Sequence, residues 1–304
     1  MRHFRLPESR YFSSLLTLFL VAASLPIYAA DAINFSEIKK QALFASVVYG
    51  SEKEITALAE SNRYRLNLYH TIPDIQVTFF LATNEPERTQ LISVRGTTNV
   101  ENAVVDIALK LLTDEKTGAR LHQGFAYAAR RVYAELKPLL KPGYKIHATG
   151  HSLGGAVALI VAMYLDADRF EVDQVVTFGQ PKVTNLSGAT SIQHLNITRV
   201  VTATDLVPLV PPFDPLDLNN IDIYWHAGKE LILLDGDRYA LLAAADSMLR
   251  ATQFTRQPLT EENVKNHYMR LYLDLIEPKT KSARRVTYRN DFNLFNLFGN
   301  DQGS

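Results

Sequence analysis

The sequence predicts an α/β fold with a mostly parallel central sheet flanked by helices. Two observations carry this. Strand-like runs recur along the chain with helix-length patterns between them, the arrangement of parallel strands joined by crossover helices. One strand-to-helix joint also carries a Gly-x-Ser-x-Gly turn, which requires a strand before it and a helix after it. The chain of 304 residues is 47% hydrophobic and 21% charged, an ordinary composition for a folded domain that is long enough to bury one substantial core.

The elements follow in order. Arg2, Arg5 and Arg10 make a basic start, and Tyr11 to Leu25 is an apolar run too short to span a bilayer comfortably. Pro26 breaks the run, and Ala29 and Ala30 offer a small-residue cleavage site, although Ile27 departs from that preference. Residues 1–29 are therefore expected to be a secretory signal peptide, with an uncleaved membrane anchor as the alternative. The protein is expected to be exported, to a periplasm or out of the cell. A main domain is expected over residues 30–278 and a C-terminal tail over 279–304. The tail turns basic and then aromatic at Phe292, Phe295 and Phe298, which reads as a loosely packed end or as a membrane-contact segment.

Ile38, Ala42, Ala45 and Tyr49 have helical spacing, and Gly50 ends that helix. Strands are predicted over Gln76–Leu81, Leu91–Val94, Lys145–Thr149, Gln174–Phe178 and Thr198–Thr202. Helices are predicted over Phe125–Leu140, Leu153–Leu165 and Thr260–Ile276. Asn99 to Leu112 places Val100, Ala103, Val104, Ile107, Ala108, Leu111 and Leu112 on one helical face.

Composition excludes several functions. Lys plus Arg equals Asp plus Glu at 32 each, so nothing points to nucleic acid. The absence of cysteine removes disulfides, thiol nucleophiles and Cys-ligated metals. His147 and His151 stand four apart, but they run from a strand into a turn, where two side chains need not converge on a metal. No G-x-G-x-x-G or P-loop pattern is present, and no cofactor is implied.

The chemistry centres on Gly150-His151-Ser152-Leu153-Gly154. A serine hydroxyl is a weak nucleophile until it is aimed at a base, and the sharp turn aims it. Larger side chains at the two glycines would clash across that turn. The base needs an orienting carboxylate. In sheets of this kind the chain order is Ser, then acid, then His. Asp205 directly follows the strand Thr198–Thr202, whereas Asp214, Asp217 and Asp222 sit in a Pro- and Asn-rich loop. His194 precedes Asp205 and fits the order poorly, which leaves His226 or His267.

Arg95–Asn99 (RGTTN), 122–125 (HQGF), 150–156 (GHSLGGA), 177–183 (TFGQPKV), 201–212 (VTATDLVPLVPP) and 224–230 (YWHAGKE) occur in the order seen in lipase class 3, which the chain resembles over residues 76–275. The resemblance implies an α/β-hydrolase fold with Ser152 as nucleophile, Asp205 as triad acid and His267, in Asn266-His267-Tyr268, as base. It gives His226 the role of holding the loop beneath the site. Leu153 and Thr97 would supply the oxyanion donors. It also implies a lipid or ester substrate and transient contact with a lipid surface. The expected reaction is cleavage of carboxylic esters, as a triacylglycerol lipase or carboxylesterase. The alternatives are a phospholipase A1 and a catalytically silent lipid-binding protein. In fungal members the 99–112 stretch is a mobile lid, but Ala103 stands where an aromatic is often found, so a core-facing helix is the equal alternative. Residues 207–216 (VPLVPPFDPL) form one wall of the acyl site or a rigid connection.

Overall fold

The computed structural model describes residues 33–96, 110–211, 223–243, 246–248 and 265–288. Its elements belong to one compact unit that begins at Asn34. Two helices open it, α1 (Phe35–Val47) and α2 (Glu52–Ser61). Ser51 starts α2 with a capping box: its hydroxyl accepts from the Glu54 N–H while the Glu54 side chain returns to the Ser51 N–H.

The strands of the main sheet are β1 (Arg65–Ile72), β2 (Val77–Asn84), β3 (Thr89–Val94), β6 (Lys145–His151), β7 (Glu171–Phe178), β9 (Ile197–Thr202), β11 (Lys229–Leu233), β12 (Arg238–Leu242) and β13 (Arg284–Arg285). They lie side by side in that order. From β3 through β6, β7 and β9 to β11 every pairing is parallel. An antiparallel pair of strands, β1 and β2, extends one side, and β12 lies antiparallel to β11 on the other. A smaller sheet joins β4 (Leu111–Thr113), β5 (Arg120–His122), β8 (Thr184–Asn185) and β10 (Tyr224–Trp225).

Both faces of the main sheet are covered, and β2 shows how. Phe79 and Leu81 enter the core beneath α3 (Gln123–Leu136) and α4 (Leu153–Ala167), whereas Phe80 and Ala82 enter a second core with Phe44 of α1 and Ile55 of α2. Alternate residues of a strand point to opposite faces, so a run of unbroken hydrophobics serves two cores at once. Helix α4 is buried at every residue from Gly154 to Leu165. A helix that is apolar all round can only sit inside. Each of its large aliphatic side chains contributes about 1.5–3 kcal/mol by leaving water.

The five predicted strands and the helices at 125 and 153 stand within a few residues of their expected places. Three expectations differ. The predicted helix over 99–112 ends in a strand instead, because Leu111 and Leu112 pair with His122 and Leu121; its residues 99–109 lie outside the described residues. The helix predicted over 260–276 is interrupted: 266–268 turn between a helical Lys265 and α5 (Met269–Ile276), and residues 260–264 lie outside the described residues. Past residue 278, Arg284 and Arg285 pair with β12, and Lys279 is buried with its ammonium on the carbonyls of Leu234, Gly236 and Leu275. Phe292, Phe295 and Phe298 lie outside the described residues. Among the described residues, no helix is long and apolar enough to cross a membrane.

Candidate active site

The site forms where β3, β6 and β9 end, at the carboxyl edge of the parallel strands. Strand β6 runs to His151, and Ser152 turns the chain into α4 with φ 58° and ψ −133°. A non-glycine residue held there stores roughly 1–3 kcal/mol of backbone strain. The Ser152 N–H donates to the Phe178 carbonyl at 2.8 Å, and its carbonyl accepts from Gly155 N at 3.0 Å. The glycines act as expected. A Cβ on Gly150 would lie 2.6 Å from the Gly154 backbone, and one on Gly154 would overlap the Val94 carbonyl and lie 2.6 Å from Gly96 N.

Three residues past β9, Asp205 is fully buried. Its N–H donates to Thr202 Oγ1 at 3.1 Å, and its Oδ1 accepts from the Val207 N–H at 2.9 Å. Oδ2 accepts from His267 Nδ1 at 2.7 Å and from the Tyr272 hydroxyl. A carboxylate only accepts, so the ring proton sits on Nδ1 and Nε2 keeps its lone pair. His267 Nε2 and Ser152 Oγ are both buried, and neither has a hydrogen-bond partner among the described residues.

Gly179 lies directly against this pair. It follows Phe178, whose carbonyl holds the Ser152 N–H, and it adopts φ +58°. A Cβ there would come 2.6 Å from His267 Cε1 and 2.9 Å from Asp205 Oδ2. The glycine of Thr177-Phe178-Gly179-Gln180 therefore leaves room for the imidazole beside the acid.

Of the expected site residues, the structure brings Ser152, Asp205, His267 and Leu153 to one sheet edge. Leu153 is the first residue of α4, where a backbone N–H has no intrahelical acceptor. Thr97 lies outside the described residues; its neighbour Gly96 packs against the turn, since a Cβ there would meet Ser152 Cβ at 3.0 Å.

Four other histidines are engaged elsewhere. His226 Nε2 reaches the Pro208 carbonyl at 2.7 Å, holding the 207–211 loop. Lys182 holds the same loop through the carbonyls of Leu209 (2.6 Å) and Pro211 (2.5 Å). Residues 212–222, with Asp214, Asp217 and Asp222, lie outside the described residues. His194 contacts Asp166, His147 contacts Asp173, and His122 caps α3. Among the described residues, no three His, Asp or Glu side chains gather as a metal would require.

Sequence reasoning missed four participants: Gly179, Tyr272, Tyr49 and, in its connecting role, His151. Tyr272 follows His267 by five residues in a segment already singled out, and its spacing could have been noticed. Tyr49 sits 102 residues from the His151 ring that it touches, and no local pattern reports such a contact. Burial holds the His151 imidazole well below the ordinary histidine range, and the neighbouring His267 adds to that shift.

Fold and side chains together define an α/β-hydrolase fold with a serine elbow and a buried Asp–His pair. Residues 91–214 match the family model for lipase (class 3). It is 35% identical over 142 residues to the secreted mono- and diacylglycerol lipase 1 of Fusarium solani, a match covering 44% of this chain and 42% of that one. It is 30% identical over 158 residues to a lipase of Rhizomucor miehei, covering 48% of this chain and 44% of the other. The match thus spans less than half the length of either relative. In three dimensions it resembles the lipase of Rhizopus microsporus var. chinensis with a TM-score of 0.58 at 25% identity, covering 67% of this chain and 76% of that one.

Proposed function

We propose that the protein is a serine hydrolase of carboxylic ester bonds in lipids, a triacylglycerol lipase or carboxylesterase working through an acyl-enzyme on Ser152. The observation that carries this is the buried His267–Asp205 pair, whose remaining ring nitrogen is unengaged at the same sheet edge as the unengaged Ser152 hydroxyl. Ser152 Oγ attacks the ester carbonyl while His267 Nε2 takes its proton. Collapse of the tetrahedral intermediate breaks the ester C–O bond, and Nε2 returns the proton to the departing alcohol oxygen. Water then repeats the sequence, giving its proton to Nε2, adding to the acyl carbon and releasing the carboxylic acid with Ser152 restored. Asp205 holds the tautomer and stabilises the imidazolium at each step. The N–H groups of Leu153 and Thr97 receive the developing oxyanion, each donor contributing about 2.7–4 kcal/mol.

Export by residues 1–29 belongs to the same reading. It is supported by the basic, apolar and small-residue pattern and by the secretion stated for the Fusarium solani relative. The test is fatty-acid release at constant pH from triacylglycerol emulsion and from phospholipid vesicles, with the Ser152→Ala protein as blank. Release from the emulsion supports the lipase. Release from vesicles alone moves the substrate to phospholipid, and no release from either, or from a short-chain ester, leaves a silent lipid-binding protein.

A further inference from the structure

A chain of three hydrogen bonds links the turn after β3 to the backbone of the base. Gly96 N–H reaches Tyr49 Oη at 3.1 Å, Tyr49 Oη lies 2.9 Å from His151 Nδ1, and His151 Nε2 lies 2.7 Å from the His267 carbonyl. With the buried His151 ring neutral, its direction follows from the donor inventory. A carbonyl only accepts, so His151 carries its proton on Nε2. A neutral ring then has a lone pair on Nδ1, so the Tyr49 hydroxyl donates to it, and the tyrosine oxygen is free to accept from Gly96. For the neutral ring, every donor in the chain has one acceptor and all three contacts are satisfied.

The geometry around the chain is tight. The His151 and His267 rings lie 4.4 Å apart between centroids, inclined at 34°. His151 is 3% exposed and Tyr49 packs edge-on against it at 5.8 Å. Tyr272, which donates to Asp205, also meets the His151 ring edge-on at 6.1 Å. His151 is covalently joined to Ser152. One imidazole therefore touches the nucleophile through the chain, the base through its carbonyl and ring face, and the oxyanion turn through Tyr49.

From this we infer that Tyr49 and His151 are positioning residues that set the spacing between Gly96, just past β3, and the His267 base. The inference rests on the reading of Ser152 as nucleophile. Neither residue touches substrate. Their effect is on how well the oxyanion donors and the base are aligned when the tetrahedral intermediate forms, which is a requirement of the transition state more than of substrate binding. Loss of the chain should lower kcat and leave KM nearly constant. A misplacement of about 1 Å can cost on the order of 100-fold in rate, so a drop of roughly ten- to hundredfold is expected.

The full chain carrying Tyr49→Phe, His151→Phe or His151→Gln is compared with the unaltered protein. Measured are kcat and KM on a soluble p-nitrophenyl ester and the rate at which a fluorophosphonate labels Ser152, with thermal unfolding to confirm folding. Glutamine keeps both roles of the ring, since its amide N–H can donate to the His267 carbonyl and its oxygen can accept from Tyr49. The expected result is a kcat-selective loss and slower labelling in Tyr49→Phe and His151→Phe, with most of the rate recovered in His151→Gln. Wild-type labelling rates in both Phe variants would overturn the inference, as would equal losses in His151→Gln and His151→Phe. If His151→Phe does not fold, Tyr49→Phe, which removes one oxygen, decides the question with His151→Gln. If the unaltered protein itself resists the probe and the ester, the hydrolase reading fails and takes this inference with it.

Discussion

His267 directs its Nδ1 at the Oδ2 of Asp205 across 2.7 Å, and neither side chain reaches solvent. The pair joins residues 62 positions apart, one just beyond a parallel strand and one in a turn before the last α-helix described. Burial matters here because it shields the developing imidazolium from water while keeping it beside its counter-charge.

Asp205→Asn should abolish turnover while leaving the fold in place. An amide can donate to Nδ1 and so impose the wrong tautomer, a change that costs about 10⁴-fold in kcat in serine proteases. Steady-state kinetics on a soluble ester, beside an unchanged circular dichroism spectrum, checks this.

Tyr272→Phe removes one of the three donors on the Asp205 carboxylate and leaves the other two. A hydrogen bond to a charged group contributes about 1.5–3 kcal/mol, so a loss of roughly ten- to hundredfold in kcat/KM is expected, well short of Asp205→Asn. Running the two variants side by side tests the ranking.

Gly179→Ala should be among the most damaging small substitutions in the chain. The added methyl would occupy space held by His267 and Asp205, and the backbone there is left-handed. The left-handed conformation alone costs about 1–2 kcal/mol for a residue with a Cβ. Displacement of His267 is expected to lower kcat by on the order of 100-fold. Kinetics and thermal unfolding together separate the two effects.

The strand–turn–helix at Ser152 was legible because strand, glycines, serine and apolar helix are contiguous, and the same holds for β3, β7 and β9. Asp205 was a candidate because it follows a strand end, and it lies against His267. His267 was separable from His226 only by resemblance, since both come after Asp205. The small sheet was not legible: strands of two or three residues, such as Thr184–Asn185 and Tyr224–Trp225, are too short for any period to show. Strand β1 was missed because most of its residues are only half-buried, so apolar and polar side chains mix along it. Gly179 and Tyr49 matter through contacts made by folding, which local pattern does not record.

Protonation of His151 should make the fold acid-sensitive. Its native pKa lies well below the unfolded value near 6.5, mainly because burial disfavours the charged ring. Above about pH 6.5 both states are neutral and the group adds no slope. As pH falls below that value the unfolded chain takes up a proton that the native state refuses, so stability falls, by at most about 1.4 kcal/mol per pH unit, down to the native pKa. Tyr49, His267 and Tyr272 face this ring, so the comparison must be differential. Urea unfolding between about pH 5 and 8 should show the unaltered protein losing stability relative to His151→Gln as pH falls. Parallel curves would remove the prediction.

The central claim is that Ser152 carries the acyl group. The most direct measurement is the mass of the protein after brief reaction with an activated ester or a fluorophosphonate, followed by mapping of the adduct to a peptide. One adduct is expected, on the peptide containing Ser152, absent in Ser152→Ala and formed far more slowly in His267→Ala. An adduct on another residue, or undiminished labelling of Ser152→Ala, would contradict it.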